Sequence, residues 1–296
     1  MAITRVTQRM LSQRSLSAVQ GGLNRMAKVQ EQLETGKKLN RPSDSPADTN
    51  TALRVRTSLA AQKQYVRNAQ DGTAWLGTVD SALSGIVDQT TRARTLALQG
   101  ANTGAMSQTA LDALATEVSQ IRESVLQQAN TQYLGRPVFG GTTAQEIAFN
   151  PDGTYAGDNG EVTRRIGSDV TVRVDADGID TFGPDGDNLF SHLADLATAL
   201  HNGDQAAIST GIDALGGDLT KLSAAQAGEG ASYNRITHAS DLASQSVLQL
   251  KSSLSDVEDV DLAAATVDLQ TQQVAYQAAL AATGRTVQPS LLDFLR

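Results

Sequence analysis

The residues best able to act as bases or metal ligands are three histidines, His192, His201 and His238, in a chain of 296 residues. None stands at the His-x-x-x-His spacing that turns two imidazoles toward one zinc ion, and no Gly-x-Ser-x-Gly elbow accompanies them. They read as helix-surface or packing residues. Cysteine is absent, which removes disulfides, thiolate metal sites and thiol nucleophiles together. Gly36-Lys37 lacks the upstream glycine of a phosphate loop. Asp175-Ala-Asp-Gly178 with Asp180, and Asp185-Gly-Asp-Asn188, have the composition of calcium loops. However, Ile179 holds a ligand position and no glutamate closes the loop; turn formation by Asp and Gly accounts for both. The expectation is a chain that is not an enzyme and takes no cofactor and no metal. A rival of another class, a secreted adhesin or hydrolase working through residues 135–188, has turns to offer but no catalytic constellation.

The elements that position these residues are mostly helices. Aromatic residues are 4% of the chain and hydrophobic residues 40%, so the apolar content is Ala, Leu and Val, suited to helix seams. Leu16, Val19, Leu23 and Met26 step by three and four, with Gln30 and Leu33 in continuation, and predict a helix over most of 3–34. A second runs from about Asp48 to Gln99, with Leu76, Val79, Leu83 and Ile86 as its seam. Leu111, Leu114, Val118, Ile121 and Val125 mark a third. Asn150-Pro-Asp-Gly153, Gly157-Asp-Asn-Gly160, Asp177-Gly178 and Gly183-Pro-Asp-Gly186 are turn signals about ten residues apart. Between them Val170, Val172 and Val174 alternate with polar residues as a strand does. Helical spacing returns at Leu189, Leu193, Leu196 and Leu200, and again from Ile208 to Leu222, where Gly228-Glu-Gly230 is expected to close the section. Val260, Val267 and Val274 then recur every seven residues.

Net charge is −8, but residues 1–68 hold 12 basic and 4 acidic residues, leaving −16 on the remainder. The two parts attract each other, within a chain or between copies. With Tyr65 as its single aromatic, the basic section offers little for base stacking, so no nucleic acid is expected as partner. No stretch approaches the roughly 20 apolar residues of a membrane span, so membrane insertion is not expected. The first residues show no apolar leader core; if the chain leaves the cell, no conventional cleaved leader is expected to carry it. From Leu262 to Thr283 the one charged residue is Asp268, among alanines and Gln270, Gln272, Gln273 and Gln277. A water-facing helix normally carries a charged face. Such a helix sits in the centre of a bundle or is covered by neighbouring subunits, and both readings stand at this point.

Leu33-Glu-Thr-Gly-Lys-Lys-Leu-Asn-Arg-Pro-Ser-Asp-Ser-Pro-Ala-Asp48 resembles the segment shared by bacterial flagellins and their hook-associated relatives, and Asn68-Ala-Gln-Asp-Gly72 continues the likeness. The run from Asp256 to Leu280 is similar to the C-terminal helix of the same flagellin family. Leu134-Gly-Arg-Pro-Val-Phe-Gly-Gly-Thr142 and the ending Ser290-Leu-Leu-Asp-Phe-Leu295 lean toward the hook-associated, hook-to-filament junction branch; Pro137 departs from its usual aromatic, and filament flagellin is the alternative. The resemblance implies a mainly α, coiled-coil-like helical rod with both termini at the same end and a small β-rich insertion. Its expected parts are an inner terminal region, 1–45 with 256–296; a helical region, 46–134 with 189–255; and an outer β-rich insertion, 135–188. It implies a structural subunit of the bacterial flagellum, extracellular, with copies of itself, the first hook-associated protein, flagellin and an export chaperone as partners. Resemblance and seam together nominate an assembly interface of Leu23, Met26, Leu33, Asn40, Arg41, Pro42, Ser43, Asp44, Pro46, Val267, Gln273, Val274, Leu280, Leu291 and Phe294. For Pro42 and Pro46 the plainer role is to fix an extended loop, with Ser43 or Asp48 capping the helix that follows.

Overall fold

The computed structural model describes residues 2–102 and 106–287. Along them run α1 (Ala2–Thr35), α2 (Pro46–Ala101), α3 (Gln108–Ala129), β1 (Gln132–Tyr133), β2 (Arg136–Pro137), β3 (Thr163–Arg165), β4 (Thr171–Arg173), α4 (Gly178–Phe182), α5 (Leu189–Asn202), α6 (Gln205–Glu258) and α7 (Leu262–Val287). The fold is mainly α, as the periodicities predict. It divides into two compact units, one of Met1–Ala60 with Val247–Arg296 and one of Ala61–Ser246.

In the unit of Ala61–Ser246, the predicted seams are the core. Leu76, Val79, Leu83 and Ile86 of α2 are buried with Leu111, Val118, Ile121 and Val125 of α3 and with Leu193, Leu196 and Leu200 of α5. The helix starts are fixed chemically: Ser107 caps α3, Asp177 caps α4, and Asn188 and Ser191 cap α5 reciprocally. Gly203, at φ 66°, ends α5 in the left-handed conformation that glycine adopts without a Cβ penalty.

Two helix-end expectations change. Helix α6 runs unbroken through Gly228 and Gly230, neither of which has a positive φ. A glycine costs an exposed helix about 1 kcal/mol, and stopping and renucleating a helix costs more, so alanine- and serine-rich flanks carry the helix across both positions. At α2 the cap is Ser45, not Ser43 or Asp48: its backbone oxygen accepts the Thr49 amide at 2.9 Å, and its hydroxyl lies 3.4 Å from the Asp48 amide. Pro46 then takes the first helical position, where a missing N–H is harmless.

Residues 135–188 contain less strand than their turn spacing suggests. The β1–β2 and β3–β4 hairpins are antiparallel and short, and Val170 lies outside β4, exposed, while Val172 and Val174 are buried. Side chains supply much of what a sheet ladder would. The Asn130 carboxamide oxygen accepts the amides of Ala148 and Phe149 at 2.8 and 2.9 Å, and Asp175 accepts the Val162 amide at 2.8 Å. Phe139, Phe149, Phe182 and Phe190 form an aromatic cluster with ring centroids 4.8–5.5 Å apart. Beside it the Tyr133 hydroxyl donates to Asp71 at 3.2 Å, and Arg164 both pairs with Asp71 at 2.5 Å and lies over the Trp75 ring. The β1–β2 turn is Leu134-Gly135, with Leu134 at φ 50° and 82% exposed.

Candidate assembly interface

In the unit of Met1–Ala60 with Val247–Arg296, α1 and α7 pack side by side and antiparallel. Arg25 donates to Gln272 at 3.2 Å, Gly22 faces Tyr276, and just beyond the helix ends Lys37 and Asp259 pair through their backbones as an isolated antiparallel β-bridge. Half-buried or buried positions of α1 include Ser15, Val19, Gly22, Met26, Val29 and Leu33. Those of α7 are Ala265, Leu269, Gln272, Tyr276, Ala279 and Thr283. Both sets step by four and three, the repeat of a coiled-coil seam.

This corrects the expected stripes. Met26, Leu33 and Val19 lie in the α1 seam, but Leu16, Leu23 and Gln30 sit one residue away, about 100° around the helix, on an exposed flank. The seam position next to Leu23 is the small residue Gly22, where a Cβ would meet the Tyr276 ring at 3.5 Å, an ordinary contact, so a periodicity count of large apolar residues passes over it. On α7 the stripe Val267–Val274 faces away from α1, with Val267 62% and Val274 66% exposed. Leu280 flanks the seam, 46% exposed, and Gln273 is exposed. A shallow apolar groove follows the outward stripe along Gln270, Thr271, Val274, Ala275 and Ala278. Burying one such Val or Leu contributes about 1.5–3 kcal/mol, so the face holds several kcal/mol available to whatever covers it.

The loop between α1 and α2 is tightly built. Asp44 accepts the amides of Asn40 and Arg41 at 3.1 and 2.9 Å, and the Lys28 ammonium lies 3.0 Å from it. The Arg41 backbone bond and the Lys28 contact hold its carboxyl below the usual range despite partial burial. Arg41 reaches Glu31 at 3.3 Å, while Pro42, Ser43 and Pro46 are exposed. The next residues meet the α6–α7 joint. The Lys38 amide donates to the Glu258 carbonyl at 2.7 Å and the Val260 amide to Gly36 at 3.0 Å. The buried Glu258 carboxylate receives Lys37 at 3.1 Å and has Arg56 at 2.7 Å. Burial raises the Glu258 pKa, but the bonds from Arg56 and Lys37 outweigh it and the net shift is downward. Nothing in the sequence marks Glu258 within its acidic run; its partner, the Lys37-Lys38 pair, lies more than two hundred residues earlier.

Leu291 and Phe294 lie outside the described residues. Of the histidines, His192 is bound on both sides, Nδ1 to the buried Asp218 at 2.6 Å and Nε2 to Asp187 at 2.9 Å, which joins α5 to α6. His201 lies 2.9 Å from Asp112. Asp177 and Asp185 are used by the turns, accepting the amides of Ile179 and Tyr155. Among the described residues no group of three or more His, Asp or Glu is placed to hold a metal ion, and no helix is long and apolar enough to cross a membrane.

Comparison with known proteins gives this geometry a family. The description of the bacterial flagellin N-terminal helical region matches residues 6–144, and that of the flagellin C-terminal helical region matches residues 212–295. The flagellar hook-associated protein 3 of Salmonella typhimurium is 25% identical, over 93% of this chain and 94% of that protein. The flagellin of Bacillus subtilis is 24% identical over 99% of this chain and all of that protein. The crystal structure of Bacillus cereus FlgL superposes with a TM-score of 0.61 at 25% identity, covering 68% of this chain and 99% of that one. With family matches at both ends, in order, across the same helices that carry the terminal seam and its outward stripe, the chain belongs to the bacterial flagellin family.

Proposed function

We propose that the chain is a structural subunit of the bacterial flagellum that forms the junction between hook and filament, required for filament assembly and motility. The observation that carries this reading is the outward stripe of α7: Val267 and Val274 stand exposed on a helix whose one charge between Leu262 and Thr283 is Asp268. A face of that kind matches an element covered by neighbouring subunits, and of the two readings left open by the sequence the exposure favours this one. Near full-length similarity to hook-associated protein 3 supports the place in the assembly. On this reading residues 1–45 with 256–296 form an inner layer, residues 46–134 with 189–255 a middle layer, and residues 135–188 project outward. Leu23, Val267, Val274, Leu280 and the loop from Asn40 to Pro46 meet neighbouring copies. The first hook-associated protein lies below, flagellin above, and an export chaperone covers the terminal helices before assembly.

The full-length match to a flagellin favours a second reading, that the chain is the filament subunit itself. One experiment separates them. The gene is deleted, cells are imaged by electron microscopy, and the medium is probed for flagellin. Hooks without filaments, with flagellin lost to the medium, establish the junction role; hooks without filaments and no flagellin outside make this chain the flagellin. Normal filaments overturn both. In the complemented strain, Val274→Asp is expected to abolish filaments while the free chain keeps its thermal midpoint, because the side chain is solvent-facing before assembly.

A further inference from the structure

A groove of about 430 Å³ in the unit of Ala61–Ser246 lies between the β4–α4 segment and one face of α6. The space exists because α6 presents Ala224, Ala225 and Gly228 there. Its charged lining is Arg173, Asp175, Asp177, Asp180, Lys221 and Glu229, so acids outnumber bases. Glu229 is the unusual member. Its Oε2 is sealed from solvent and has no hydrogen-bond partner. Burial first, then the charges of Asp175 and Asp80, push its pKa up to about 8, against the pull of Arg173. The neighbouring cations are committed elsewhere: Arg173 holds Asp175 at 3.0 and 3.1 Å, and Lys221 lies 3.7 Å from Asp218. The Glu229 side chain as a whole is half-buried and lines the groove beside three aspartates, so a cation on a long flexible stem that enters the groove meets a carboxyl with one oxygen still unmatched.

Such cations are concentrated in the first 68 residues, which hold 12 basic against 4 acidic residues. We propose that this groove receives a lysine or arginine side chain from the basic first 68 residues of a second copy of the chain, and that Glu229 takes up its charge. This rests on the subunit reading above. It turns the charge asymmetry of the chain into a specific contact between copies.

The absence of cysteine allows a direct test. Ala227→Cys, exposed beside Gly228, is labelled with a benzophenone maleimide, irradiated in the assemblies formed by cells carrying the labelled chain, and mapped by mass spectrometry. A cross-link to residues 1–68 of a second copy is expected. Glu229→Gln is expected to lower its yield at least tenfold while the free chain melts no lower than wild type. Cross-links confined to the same chain, cross-links only to a different protein, or no cross-link overturn the proposal. So does an unchanged yield with a raised melting point, which would make Glu229 a packing defect. Filament counts in the complemented strain report separately on the junction reading, so the two can fail independently.

Discussion

Replacing Glu258 by glutamine keeps the side chain's size and removes its charge. The carboxylate is 5% exposed, whereas its partners Lys37 and Arg56 are 44% and 54% exposed. Breaking a fully buried ion pair costs about 3–5 kcal/mol and an exposed one about 0–1 kcal/mol. With one buried and two half-exposed members, the substitution is expected to cost about 1.5–2 kcal/mol, nearer the exposed limit because solvent screens both cations. The effect is local. The Lys38 amide bonds the Glu258 carbonyl and the Val260 amide bonds Gly36, so both report on this joint. At 1.4 kcal/mol per tenfold, hydrogen exchange at these two amides is expected to accelerate about ten- to thirtyfold. The Val174 amide, bonded to Val162 in the other unit, should not change. The Glu258 pKa is lowered in the folded chain, so its contribution is present above the unfolded value and is lost as pH falls through the folded one. Wild type at low pH should therefore approach Glu258→Gln at neutral pH. Unchanged exchange at Lys38 and Val260 in the variant would refute the assignment of the joint's stability to this ion cluster.

Two further outcomes are expected. The bonds from Asp218 and Asp187 raise the His192 pKa although burial alone lowers it, so the stabilisation is full below about pH 6.5, the unfolded value, and is lost as pH rises through the folded one. Between pH 6 and 9 the melting point should therefore fall more steeply for wild type than for His192→Gln, with Glu229 adding the same alkaline loss to both; parallel slopes would remove His192 from the account. Leu134 holds φ 50° with an exposed side chain, and Leu134→Asn should raise stability by about 0.5–1 kcal/mol in urea titrations followed by fluorescence of Trp75, the single tryptophan.

Helices α2, α3 and α5 were legible because large apolar residues recur at three and four, and that spacing survives into the core. Where the signal failed, a small or polar residue did the decisive work. Gly22 faces Tyr276 in the α1–α7 seam, and a count of large apolar residues passes over it in favour of Leu16 and Leu23. Gly228 and Gly230 resemble a stop but lie inside α6, because neighbouring turns carry the helix through. Cap identity was off by two residues at Ser45, since Ser43, Asp44 and Ser45 all have the chemistry and the position of Pro46 decides among them. The joint at Glu258 and the clasp at His192 depend on partners distant in sequence, which no local pattern encodes.

The pairing of α1 with α7 also sets an order in time. Arg25 and its partner Gln272 are 247 residues apart, and a ribosome adds about 5–20 residues per second, so α1 waits roughly 10–50 s for the helix that completes its seam. Any interruption of synthesis, or loss of the last helix, leaves α1 unpaired however well the middle of the chain has folded. The α1–α7 pair is thus the last part of the described chain to close, and it closes only in chains that carry α7.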